Sequence, residues 1–93
     1  YLDPIPVIIG HYWRWPTRQA QSELSRGEPG LFADLEPQHW FGARRNVYCV
    51  DFAVGARYKE RAAGRTQFAC RLAAVRWPEQ QLVFDDGRTL RMR

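Results

Sequence analysis

Ile5-Pro6-Val7-Ile8-Ile9-Gly10-His11-Tyr12-Trp13 is the stretch on which the reading of this chain turns. Residues 5–9 are a β-branched run that stops at a glycine. That is the pattern of a short buried strand, with Pro6 near its start, where a missing N–H donor is tolerated. A strand that ends in Gly-His delivers an imidazole to the rim of a sheet. Gly10 lets the backbone turn sharply, and a neutral imidazole is a good ligand for a transition metal. Taken alone, such a histidine is more often a hydrogen-bonded structural residue.

Downstream, Asn46–Val54 alternates like a strand, with Tyr48, Val50, Phe52 and Val54 on one face and Val47, Cys49 and Asp51 on the other. A carboxylate at Asp51 needs a partner if that face is buried. It can serve as an acceptor beside the site that orients His11, or as a turn residue at the strand end. Gly55–Arg65 is polar and bounded by glycine, a loop or a helical turn. Gln67–Trp77 is apolar on both sides and is expected to be a central strand. Pro78-Glu79-Gln80 turns the chain. Asp86-Gly87 is a strong hairpin signal between Gln81–Asp85 and Arg88–Met92. A two-residue turn there would place Asp85 opposite Arg88 and Val83 opposite Leu90. Between the first strand and Asn46 lies an irregular insert broken by Pro16, Pro29 and Pro37. Within it, Thr17–Leu24 suits a short helix capped by Thr17, Gly27–Leu35 a loop, and Gln38–Gly42 a turn carrying Trp40 and Phe41. The pattern predicts an α+β, mainly β fold: one antiparallel sheet of four or five strands with an irregular insert, residues 1–93 forming a single domain.

Composition bounds the rest. The chain has 93 residues, 45% of them hydrophobic, 14% aromatic and 26% charged. That excludes a disordered tail, a collagen, a coiled coil and a disulfide mini-protein, and it permits a thin core. No apolar run approaches the ~20 residues that cross a bilayer, so a cytoplasmic protein with no membrane partner is expected. The net charge is +4, but the arginines are scattered. Glu60 interrupts the local patch formed by Arg57, Lys59, Arg61 and Arg65, so nucleic acid is not the expected partner. Cys49 and Cys70 sit in apolar runs and read as reduced core residues, a disulfide being open if their strands are neighbours.

Three blocks occur in order: Ile5–Trp13 with its Gly-His-Tyr-Trp, then Asn46-Val-Tyr-Cys-Val-Asp-Phe-Ala-Val54, then Arg71-Leu-Ala-Ala-Val-Arg-Trp77. Together they resemble the C-terminal part of a bacterial calcineurin-like metallophosphoesterase, in the branch related to serine/threonine protein phosphatases and diadenosine tetraphosphatases. The resemblance implies a β-sandwich flanked by helices and a two-metal site, with His11 as one ligand of the second metal. Family members with Gly-His-x-His place a further ligand where this chain has Trp13, which matches the protein-phosphatase-like branch. The other family motifs, Asp-x-His, Gly-Asp-x-x-Asp and Gly-Asn-His, do not occur in this sequence. The chain, which opens on Tyr1 rather than Met, is therefore expected to be the C-terminal portion of a longer phosphatase whose catalytic N-terminal portion is absent. The parent would use Mn, Fe or Zn to activate water for in-line attack on a phosphate ester. The chain alone would be inactive and would bind metal weakly, because a single imidazole does not make a site.

The contrasting reading is a stand-alone interaction module that holds protein or nucleic acid through the Arg57–Arg65 segment or through exposed tryptophans. His39 reads as an exposed loop residue. Arg44-Arg45 reads as a solvated pair, with phosphate binding as the rarer role. Four tryptophans could offer a stacking surface, although a place in the core is expected for Trp13 and Trp77.

Overall fold

β1 (Val7–Ile9) runs parallel to β2 (Val47–Cys49), with Val7 opposite Val47, Ile8 opposite Tyr48 and Ile9 opposite Cys49. The computed structural model that shows this pairing describes residues 1–16, 32 and 35–93. The helix expected over Thr17–Leu24 and most of the loop expected over Gly27–Leu35 lie outside those residues. The pair is extended at both ends by Val7 N–H to Asn46 O (2.8 Å) and Val50 N–H to Ile9 O (3.0 Å). A parallel pair needs a long crossover, and residues 10–46 supply it. Tyr48 and Cys49 are adjacent in β2 and both are fully buried, so this strand is covered on both faces, as parallel strands require.

After β2 the backbone enters the left-handed region at Ala53 (φ 64°), makes a 3-10 turn over Val54–Ala56, and continues into α1 (Arg57–Ala62). The end of α1 is set by Gly64, whose φ of 79° only glycine adopts without strain. Gly64 N–H bonds Arg61 O at 2.9 Å and Arg65 N–H bonds Glu60 O at 3.1 Å, the paired bonds of a Schellman cap. Glu60, on α1, then gathers the following segment. Its carboxylate accepts the N–H groups of Ala69 (2.9 Å) and Cys70 (3.0 Å).

The last three strands, β3 (Ala73–Arg76), β4 (Gln81–Phe84) and β5 (Thr89–Arg91), form an antiparallel sheet in the order β3-β4-β5. The expected antiparallel sheet of four or five strands is thus corrected: the five strands among the described residues divide into a parallel pair and an antiparallel triplet. The expected central strand over Gln67–Trp77 is corrected too. Regular strand begins only at Ala73, and β3 lies at the sheet edge with alternate residues exposed. Residues 66–72 are held by Glu60 and by a bridge from Arg71 to Ala53 instead of by a ladder. β4 is the central strand, with Leu82 and Phe84 buried.

The hairpin at Asp86-Gly87 is present, but its register differs by one residue. Leu82 faces Leu90 and Val83 faces Thr89. Phe84 N–H bonds Arg88 O at 2.9 Å, and Gly87 N–H bonds Phe84 O at 3.0 Å with Gly87 at φ 90°. This is a three-residue loop ending in a left-handed glycine, the bulged alternative to a two-residue turn. Asp85 consequently leaves the ladder and pairs with Arg57 of α1 at 2.8 Å instead of facing Arg88.

The two sheets share one core of Trp40, Tyr48, Phe52, Leu82, Phe84 and Met92. Phe52 meets Phe84 edge-on at 4.9 Å, and Trp40 meets Tyr48 at 5.8 Å. Tyr48 spends its hydroxyl on Pro37 O at 2.7 Å, and burial pushes that phenol well above its ordinary value. The largest fully buried side chain is Arg14, 1% exposed. Its guanidinium lies 4.9 Å from the Phe32 ring centre, 5.4 Å from Tyr48 and 5.1 Å from Phe52. It donates to Cys49 O (3.2 Å) and Glu36 O (3.1 Å). Burial draws its pKa down from the ordinary value, yet an arginine stays charged in such a setting, stacked and hydrogen-bonded.

Two stability predictions follow from these contacts. Arg14→Lys removes the planar fork that reaches both carbonyls while lying among three rings; it is expected to cost about 2–3 kcal/mol in urea unfolding. Glu60→Gln leaves one of two backbone N–H groups without a good acceptor, an expected loss of about 1.5–3 kcal/mol at neutral pH. Burial alone would raise the Glu60 carboxyl, but hydrogen bonds from Cys70 and Ala69 and the charge of Arg65 hold it below its ordinary value. A depressed carboxyl stabilises the fold above its unfolded value and loses that contribution as pH falls through the folded one. The unfolding midpoints of the wild type and Glu60→Gln should therefore converge in acid, and a constant gap would contradict this account.

Candidate functional site

His11 and Asp51 both lie just past the carboxyl ends of the parallel strands. Their contact is made by the backbone of one and the side chain of the other. Asp51 Oδ2 accepts His11 N–H at 2.9 Å, and Oδ1 accepts Ala53 N–H at 3.1 Å. Both donors belong to left-handed residues, His11 at φ 74° and Ala53 at φ 64°. One carboxylate therefore holds two backbone conformations that each cost roughly 1–2 kcal/mol for an L-residue. The sequence reading assigned the sharp turn to Gly10; the structure assigns it to His11, a residue type enriched in this region. Asp51 meets His11 through the peptide N–H and not through the ring, and its second bond, to the N–H two residues on, is that of a turn residue at the strand end.

The whole segment after β1 is sewn to the end of β2. Cys49 Sγ donates to Tyr12 O at 3.1 Å, Arg14 N–H bonds Asp51 O at 3.0 Å, and the Arg14 guanidinium returns to Cys49 O. The result is a fixed backbone carrying an exposed imidazole. Tyr12 stands edge-on to that ring, 5.6 Å away. The residues that follow His11 are exposed too, Tyr12 at 56% and Trp13 at 48%, as is Ile8 of β1 at 42%.

Other expected residues fall elsewhere. His39 is half-buried in a turn, its N–H bonded to Glu36 O at 3.1 Å, so it is less exposed than the sequence suggested. Arg44 and Arg45 are exposed in the turn before β2, as expected of a solvated pair. Core positions for Trp13 and Trp77 are corrected. They are 48% and 52% exposed, and Trp40 is the deeply buried indole, because the core gathers around β2 and β4 while Trp13 and Trp77 lie beyond strand ends. The basic segment is not a free patch. Arg57 is paired to Asp85, Arg65 reaches Glu60 at 3.6 Å, and Arg61 covers Phe68 at 5.6 Å. Cys49 and Cys70 are both buried and unlinked. Burial raises both thiols, with Glu60 adding to the rise at Cys70, so neither is an activated nucleophile. Among the described residues, no three His, Cys, Asp or Glu side chains converge as a metal cage would need. Arg14 was counted in the sequence only among scattered charges. Nothing in its neighbours along the chain signalled this place, because the rings it packs on come from residues 32, 48 and 52.

Asp51→Ala is expected to lower stability by about 2–4 kcal/mol, since two N–H bonds to a charged acceptor are lost together. His11→Gly, which relieves the left-handed backbone, should leave thermal stability unchanged or slightly raised. Thermal melts of the two variants check the pair of outcomes, and a large loss in His11→Gly would show the ring to be structural. In comparisons with known proteins, no family model, no curated protein and no solved structure matches this chain.

Proposed function

We propose that this chain is the C-terminal portion of a calcineurin-like, metal-dependent phosphoesterase, to which it contributes His11 as one metal ligand. The observation that carries the reading is the placement of His11 and Asp51 together at the carboxyl ends of two parallel strands. Ligand sites of sheets with parallel strands gather at that end. A strained, hydrogen-bonded backbone there supports a positional role for the ring, which is left free to bind. The exposure of Ile8, Tyr12 and Trp13 supports a further body packing beside His11. So does the division into two small sheets, which the remaining strands of a β-sandwich would complete.

The described residues do not fit a metal site by themselves. His11 offers one donor, and both Asp51 oxygens are engaged by backbone N–H groups. The other ligands would come from the catalytic portion, and the metal-activated water would act there on a phosphate ester. This chain holds and orients the imidazole and, in this reading, closes the fold around it. An interaction module built on Arg57–Arg65 is the weaker reading, because those charges are spent on Asp85, Glu60 and Phe68.

The test is made in the longer protein. His11→Ala should reduce bound Mn²⁺ and the turnover of p-nitrophenyl phosphate by about 100-fold, within the range seen when a catalytic contact is removed, with the melting temperature little changed. The 93-residue chain alone should turn over none. Undiminished metal content and turnover in His11→Ala would overturn the proposal.

A further inference from the structure

The loop that joins β4 to β5 carries the one Asp-Gly step in the sequence, Asp86-Gly87. We propose that Asp86 is a site of isoaspartate formation and that Arg71 is the latch that slows it. The inference is independent of any role for His11. Glycine has no Cβ to shield its amide nitrogen from the carboxyl of the residue before it. Here the step also stands in the open. Asp86 and Gly87 are both exposed, and, chain neighbours apart, no atom lies within 4 Å of the place a Cβ would take on Gly87. Water therefore reaches the step freely. The only asparagine, Asn46, does not compete: it is 9% exposed and precedes the β-branched Val47.

The reaction needs no partner but water. The Gly87 amide nitrogen forms a bond to Asp86 Cγ. The carboxyl hydroxyl leaves Cγ and takes the amide proton with it as water, closing a five-membered succinimide. Water then adds to the main-chain carbonyl carbon of Asp86, and the bond from that carbon to the Gly87 nitrogen breaks. The peptide now runs through Cβ and Cγ, and the former main-chain carbonyl is a free carboxylate. Nothing is oxidised or reduced, and the chain gains and loses no atoms overall.

The folded loop holds the reacting atoms back. Gly87 N–H is bonded to Phe84 O at 3.0 Å. Asp86 Oδ1 accepts Arg88 N–H at 2.9 Å, the side-chain turn of an Asp two residues before its donor. Asp86 Oδ2 lies 3.3 Å from Arg71 Nε. Ring closure requires the carboxyl to turn away from Arg88 and the Gly87 nitrogen to leave Phe84, so it proceeds from an opened loop and at a rate set by that opening. Two of these bonds belong to the loop. The third comes from outside the hairpin, and its donor is itself anchored: Arg71 N–H bonds Phe52 O at 3.0 Å, beside its bridge to Ala53. Arg71 thus ties the loop to the body of the molecule. The product lengthens the backbone between Phe84 and Arg88 by one methylene. The bond from Phe84 N–H to Arg88 O, 2.9 Å across a three-residue loop, does not accommodate that. β5 is loosened, and with it Met92, which is 4% exposed in the shared core.

The test ages the 93-residue chain in warm neutral buffer and measures isoaspartate at residue 86 by peptide chromatography and electron-transfer fragmentation. A synthetic Val83–Thr89 peptide gives the unrestrained rate. The folded chain should convert at least about tenfold more slowly than the peptide, as a local opening step requires. Arg71→Gln, which removes one charge-assisted bond, should convert about three- to tenfold faster than the wild type. Arg71→Lys keeps a cation beside Asp86 and should convert more slowly than Arg71→Gln, which separates the latch from a general loosening of the fold. Asp86→Glu, which would have to close a six-membered ring, should yield no product, and the converted wild type should melt below the unconverted. Conversion of the wild type at the rate of the peptide would overturn the proposal. So would an Arg71→Gln rate no higher than that of the wild type, equal rates in Arg71→Gln and Arg71→Lys, or no isoaspartate in Arg71→Gln by the time the peptide is fully converted.

Discussion

The Arg14 guanidinium is the point to which the separate pieces of this molecule are tied. Phe32 and Glu36 come from the long crossover, Tyr48 and Cys49 from β2, and Phe52 from the turn beyond it, and all of them touch one side chain. An aliphatic residue could fill that volume, but it could not serve the carbonyls of Cys49 and Glu36. Buried carbonyls need donors, and a planar fork between aromatic rings supplies them without a neighbouring strand. The cation is in turn made tolerable by the three rings it lies against and by the two carbonyls it bonds.

The same economy recurs at the carboxylates. Asp51 holds His11 and Ala53, Glu60 holds Ala69 and Cys70, and Asp86 takes the N–H of Arg88 and the side chain of Arg71. Each ties down an irregular stretch of backbone or chain that no ladder holds. In a chain with strands of three or four residues, ladders satisfy only a fraction of the backbone. Side-chain acceptors supplement them, so among the described residues Asp51, Glu60 and Asp86 are structural. Charge counting would have treated them as solvent-facing.

The parallel pair organises function as well as fold. Its carboxyl end presents a fixed imidazole beside uncovered apolar residues. Its amino end borders a cleft lined by Trp40, Asn46, Trp77 and Met92. Asp51 builds the first, and the bonds of Asn46 to Asp3 and Ile5 build the second.

The sequence by itself determined what neighbouring residues decide among themselves. The β-branched run Val7–Ile9 is a strand, Asp86-Gly87 is a hairpin, and both cysteines are buried, while the glycine-bounded Gly55–Arg65 was narrowed only to a loop or a helical turn. Periodicity and turn chemistry act over a few residues, so these were legible. The proximity of His11 and Asp51 was legible in part, because a carboxylate in a buried strand must find a partner. Only the tertiary structure decided that β1 pairs with β2 in parallel, that β3 is an edge, and that the hairpin takes a third loop residue so that Asp85 meets Arg57. It also decided that Arg14 lies at the centre while Trp13 and Trp77 stand outside. Long amphipathic side chains can be satisfied in either place, and strand register has near-equal alternatives. Which one wins is set by the elements that meet them, forty or more residues away along the chain in the case of His11 and Asp51.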